Sequence, residues 1–89
     1  MLKVEIYSTL LCPYCSAAKR LLSRYGVIYD EVDVTFNSEG RLKMTKRAGG
    51  KTSVPQIFID GVHIGGCDEL VLLDRAGTLA PLLNVSQHG

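Results

Sequence analysis

Between Ser8 and Pro13 the chain switches from a two-residue hydrophobic period to a helical one, and no other feature constrains its fold so much. Lys3–Ser8 alternates polar and apolar residues and reads as a strand. Thr9–Leu11 is a connecting turn. Pro13 stands where a first helical residue would, because its missing N–H needs no partner there. Tyr14, Ala18, Leu21, Leu22 and Tyr25 then recur at helical spacing between Lys19, Arg20 and Arg24, and Gly26 suits a left-handed helix end. Val27–Val34 is β-branched and alternates with acids, which predicts a second strand. Two strands joined by a helix pair in parallel through a right-handed crossover.

The rest of the chain continues this alternation. Asn37 or Ser38 can cap a second helix, with Glu39 in its first turn and Leu42 and Ala48 on one face. Gly40 weakens that first turn, and Gly49–Gly50 ends the helix. Gln56–Ile59 and Val62–Ile64 are short strands around Asp60–Gly61, a strong hairpin signal. Gly65–Gly66 leads into a helix from Cys67 to Ala76, stopped by Gly77, and a short helix over Leu79–Leu83 precedes a polar tail, 84–89, that need not be ordered. The order β-α-β-α-β-β-α predicts an α/β chain, a four-stranded mixed sheet flanked by helices on both faces. The third strand is expected parallel to the first, with the hairpin adding an antiparallel edge. Residues 1–89 are expected to form a single domain, and a chain this short buries only a little over ~60% of its unfolded surface.

Charge narrows the partners. A formal net charge of +1 provides no global field for nucleic acid or an anionic membrane, and neither is expected as a partner. Locally, Arg41, Lys43, Lys46, Arg47 and Lys51 form a run without an acid, whereas the chain beyond Thr52 is mainly acidic. A positive site beside a more acidic half suits a small zwitterionic or anionic ligand, although a solvated helix face would look the same. No apolar run is long enough for a signal peptide or a membrane span. Three cysteines are too few for a disulfide scaffold and suit a reducing compartment. A cytoplasmic monomer is the expectation.

Cys12–Pro13–Tyr14–Cys15 occupies the junction of the first strand and first helix. A sulfur at a helix N-cap faces N–H groups without intrahelical partners and the positive end of the helix dipole, both of which favour thiolate. Cys12 is therefore the expected attacking thiol, and Cys15, one turn along, the resolving one. The spacing is also that of half a zinc site, but no second pair follows; Cys67, His63 and His88 are the only other candidates, and no metal is expected. Two buried small residues are a third reading. Ser53–Val54–Pro55 precedes the third strand, where a cis bond before Pro55 would turn the backbone of Val54 outward. Gly65–Gly66–Cys67–Asp68 offers close backbone approach and free N–H groups for a carboxylate, and Asp68 could meet an amine or simply open its helix.

Together these segments, in this order from Val4 to Leu83, resemble the glutaredoxin family. The Cys-Pro-Tyr-Cys site, a Thr-Val-Pro loop (here Ser53–Pro55) and Gly-Gly-Cys-Asp after Gln56–Asp60 carry the resemblance, nearest to the short bacterial dithiol glutaredoxins of the third type. It implies a thioredoxin fold, a cis Pro55 and glutathione bound across the three motifs. Tyr14 would flank the glutathione sulfur, and Ser53, Val54 and Pro55 would meet its backbone. Gly66, Cys67 and Asp68 would hold the γ-glutamyl end, and Arg41 and Lys51 the glycyl carboxylate. Thr9 stands where many members carry a lysine, so the resemblance implies somewhat less thiolate stabilisation, or Lys19 or Lys51 substituting for that charge.

The expected activity is glutathione-dependent reduction of protein disulfides and glutathione mixed disulfides, with glutathione reductase as the indirect electron source. Two rivals remain: an electron donor to ribonucleotide reductase recharged by thioredoxin reductase, and a glutathione-ligated iron–sulfur scaffold. Cys67, a third thiol beside the same ligand site, has no assigned role.

Overall fold

The computed structural model describes residues 2–84, so the tail beyond Asn84, with His88, lies outside the described residues. The elements are β1 (Val4–Ser8), α1 (Pro13–Arg24), β2 (Asp30–Asp33), α2 (Ser38–Arg47), β3 (Gln56–Ile59), β4 (Val62–Gly65), α3 (Cys67–Arg75) and α4 (Leu79–Leu82). They form one four-stranded sheet in the order β2-β1-β3-β4.

β1 and β2 pair in parallel, with Glu5 opposite Asp30 and Ser8 opposite Asp33. β2 is half the length expected from its β-branched composition. Val27 and Tyr29 turn onto the core instead of joining the ladder, and Ile28 stands in solvent.

β3 departs further from expectation, running antiparallel to β1 with Tyr7 opposite Gln56 and Val4 opposite Ile59. The reason lies in the connection after α2. Gly49 and Gly50 take φ of +66° and +99°, a reversal open to glycine, and the chain doubles back along its own helix. Gly50 N–H donates to Thr45 O, and the Arg41 guanidinium donates to Thr52 O at 3.1 and 3.3 Å. Residues 48–55, able to span at most ~26 Å, thus return the chain to the end at which β1 finishes.

Side-chain alternation along β1 and β3 gives the sheet two cores. Val4, Ile6, Ile57 and Ile59 face α1, α3 and α4, packing on Ala18, Leu21, Leu22, Leu70, Leu79 and Leu83. Tyr7 and Phe58 face α2 and pack on Val34, Met44 and Ala48. Ala48 is buried as expected, but Leu42 is 58% exposed and Met44 fills the core position. With α2 lying over one face and its charged residues dominating its length, a single long apolar side chain is enough to anchor it.

The same face carries an ion pair. Arg47 donates to both carboxylate oxygens of Glu5 at 3.0 Å and to Tyr7 Oη at 2.9 Å, with its guanidinium 4.1 Å from the Phe58 ring centroid. These contacts hold the Glu5 carboxyl below its usual 4.5, chiefly through the Arg47 hydrogen bonds. A depressed carboxyl stabilises the fold above its unfolded value and loses that contribution as pH falls through its folded value. Glu5→Gln should therefore cost about 1 kcal/mol at pH 7 and far less near pH 3. Urea titrations at both pH values test this, and equal losses at both would remove the ion-pair explanation.

Candidate active site

The loop after β1 ends at Cys12, the N-cap of α1, in extended conformation (φ −111°, ψ 105°). Its Sγ accepts a hydrogen bond from Cys15 N–H at 3.2 Å. An N-cap side chain that accepts from the third helical N–H satisfies one of the four donors a helix leaves open; here sulfur takes the place of the usual oxygen. Pro13 occupies the first helical position and Tyr14, 65% exposed, stands beside it.

The two thiols of the pair meet different surroundings. Cys12 is half-buried, while Cys15 is 1% exposed beneath it. Burial, reinforced by the Cys12 sulfur beside it, pushes the Cys15 thiol up to about 11. That leaves it far less thiolate at neutral pH than an ordinary cysteine. Cys67, at the start of α3, is also buried and raised by burial, then by the negative charge of Asp68.

The Val54–Pro55 bond is cis, and Val54 N–H and C=O have no partner among the described residues. An open cleft of about 180 Å³ runs from Tyr14 past Lys51 and Ser53–Gln56 to Gly66–Glu69. The backbone at its far wall requires glycine. Gly65 has φ +124°, and a Cβ on Gly66 would lie 3.2 Å from Pro55 O. Gly66 N–H is not free, since Glu69 Oε1 reaches back to it at 2.7 Å. The N–H groups of Cys67 and Asp68 remain without partners among the described residues.

Tyr14, Lys51, Ser53, Val54, Pro55, Gly66, Cys67 and Asp68 are thus brought to one cleft beside Cys12. Arg41 is not: it does not line the cleft, and its guanidinium is engaged by Thr52 O as the connection doubles back. Of the two cations that could replace the lysine missing at Thr9, Lys19 is paired with Glu31 at 2.9 Å, whereas Lys51 lines the cleft. Among the described residues no group of three or more His, Cys, Asp or Glu side chains converges on a metal position.

Two residues of the cleft went unread in the sequence. Buried Gln56 donates from Nε2 to Ser53 O at 3.0 Å, while its Oε1 lies 2.6 Å from His63 Nε2. Glu69 orders the turn before α3. A glutamine opening an otherwise apolar strand was the available signal, because a buried amide must find partners.

The family model described as Glutaredoxin matches residues 4–64. Glutaredoxin 3 of Escherichia coli is 54% identical over 83 residues, 93% of this chain and 99% of that protein. A glutaredoxin from Brucella melitensis, solved in solution, superposes with a TM-score of 0.83 at 43% identity, covering 100% of this chain and 96% of that one. The crystal structure of a buckwheat glutaredoxin–glutathione complex gives 0.83 at 32% identity over 93% of this chain and 77% of that one. The sheet and its helices are those of the thioredoxin fold.

Exposure and burial together set an order of reactivity among the three thiols. Limiting iodoacetamide at pH 7 should modify Cys12 before Cys15 or Cys67, read by site-resolved mass spectrometry. A first label on either buried thiol would overturn that order.

Proposed function

The chain belongs to the glutaredoxin family and is a thiol–disulfide oxidoreductase, and from that premise we propose that glutathione is its reductant. What carries the reading is the cleft beside Cys12, which unpaired backbone groups of Val54, Cys67 and Asp68 line together with Lys51. Those groups match an extended tripeptide with a carboxylate at each end. The glycyl carboxylate pairs with Lys51, and the peptide bonds lie along Val54. The γ-glutamyl carboxylate takes the N–H groups at the start of α3, its amine meets Asp68, and Tyr14 flanks the sulfur. The complex with glutathione solved for the buckwheat relative supports glutathione as the ligand.

In this reading Cys12 attacks the glutathionyl sulfur of a mixed disulfide and the target thiol leaves. A second glutathione then attacks the Cys12–glutathione disulfide, glutathione disulfide departs and Cys12 is left as thiolate. With a protein disulfide, Cys12 forms the mixed disulfide and Cys15 displaces the target. Glutathione then reduces the Cys12–Cys15 bond, and glutathione reductase regenerates the pool. The buried, raised Cys15 thiol stays protonated beside the more exposed Cys12 and so suits the resolving rather than the attacking role. The working site is the reducing cytoplasm, and the partners are disulfide-bonded or glutathionylated proteins.

Cys12→Ser should abolish both reactions, and Cys15→Ser should spare deglutathionylation while removing most protein-disulfide reduction. Both are measured by NADPH oxidation coupled through glutathione reductase; substantial turnover by Cys12→Ser would refute the assignment of the attacking thiol. Lys51→Ala should raise KM for glutathione about threefold, the order of an exposed ion pair. Arg41→Ala should leave KM unchanged, and the reverse result would put Arg41 in the site.

A further inference from the structure

The cleft uses only one side of the Cys12 loop. On the other side Leu10, Leu11 and Phe36 are 62%, 101% and 95% exposed. The strand order places them there: β3 and β4 carry the cleft on one side of β1, and β2, which leads to Phe36, lies on the other. Lone exposed leucines are ordinary on protein surfaces; three large apolar side chains exposed on two loops that are bonded to each other beside a nucleophile are not.

The arrangement is also held in place. Leu10 N–H donates to Thr35 Oγ1 at 2.8 Å, and Thr35 N–H and Oγ1 donate to Asp33 Oδ1 at 2.8 and 2.5 Å. The loop before Cys12 is thereby tied to the loop that ends in Phe36. Leu11 has φ +56°, a left-handed value that a bulky side chain adopts only at a cost. A backbone held there with its leucine wholly in solvent presents that side chain outward, next to the reacting sulfur.

We propose that Leu10, Leu11 and Phe36 seat the protein half of the disulfide substrate, favouring an extended segment with apolar residues on either side of its cysteine. The inference rests on the glutathione reading and adds the substrate's other half to it. In the first step Cys12 thiolate forms a bond to the glutathionyl sulfur. The glutathione–protein S–S bond breaks, and its electron pair leaves on the protein's sulfur, which water protonates. In-line displacement places the departing sulfur opposite Cys12 across the glutathionyl sulfur. With the tripeptide along Val54 and Asp68, the departing chain stays out of the cleft, and the Leu10–Leu11 side of the loop, where the Asp33 carboxylate is held by Thr35, adjoins the reacting centre. Glutathione supplies the electrons for the second step, releasing glutathione disulfide and restoring Cys12 thiolate.

The test compares three substrates: the mixed disulfide of glutathione with 2-mercaptoethanol, and two glutathionylated peptides of equal charge, one with Leu and Phe beside the cysteine and one with Ser and Gly. Leu11→Asn keeps a side chain that accepts the left-handed backbone, and it is combined with Phe36→Ser. The double variant should lose about tenfold in kcat/KM on the Leu/Phe peptide, the order expected for lost apolar burial, and change less than about twofold on the other two. Phe36→Leu should recover most of the loss. An equal fall on all three substrates, or none on the Leu/Phe peptide, would overturn the proposal. So would sedimentation showing that the apolar side joins two copies of the chain and that the variant only separates them. Wild-type protein unable to turn over the mercaptoethanol mixed disulfide would instead overturn the glutathione reading, before any variant is compared.

Discussion

The antiparallel ladder between β1 and β3 is the constraint on which the rest of the molecule depends. With Tyr7 opposite Gln56, the strand that ends before Cys12 lies against the strand that begins after Pro55. A slip of one residue would turn Ile57 and Ile59 away from the α1–α3 core and Phe58 away from Met44, so both cores enforce the same register. Once the register is fixed, the Cys12 loop and the cis peptide are neighbours without any contact of their own being needed. Gln56 extends the order outward, because its amide fixes Ser53 on one side and meets His63 on the other.

The paired cysteines illustrate how one helical turn separates two chemistries. Cys12 borrows a donor from the start of α1 and keeps partial access to solvent, whereas Cys15, within the same turn, points into the protein and holds its proton. Pro13 contributes by what it lacks, since a first helical residue without an N–H leaves one donor fewer to satisfy. Sequence spacing alone places the thiols within reach of each other; the difference between them comes from burial.

Much of this was legible in the residues. Cys12 at a strand-to-helix junction, the proline before β3 and the glycines before α3 each carry a local signal, and the structure brings Pro55 and Gly66 to one cleft beside the Cys12 loop. Tertiary choices were less visible. The antiparallel direction of β3 depends on how residues 48–55 fold back on α2, which no periodicity encodes, and the same fold-back takes Arg41 away from the cleft. Met44 in place of Leu42 was hidden because α2 is too polar to show which face is buried. Gln56 and Glu69 act through single hydrogen bonds to loops distant from any repeating pattern.

β2 has one more consequence. It is an edge strand, and three of its four residues, Asp30, Glu31 and Asp33, are acidic. An edge offers unpaired backbone groups to any other strand, and this one leads to the exposed Phe36, with Leu10 and Leu11 on the loop bonded to it, a combination that invites assembly of copies. A second copy pairing along this edge would have to bring carboxylates against carboxylates across the new ladder, which is destabilising. Like charge along the acidic edge opposes such pairing beside the exposed apolar side chains.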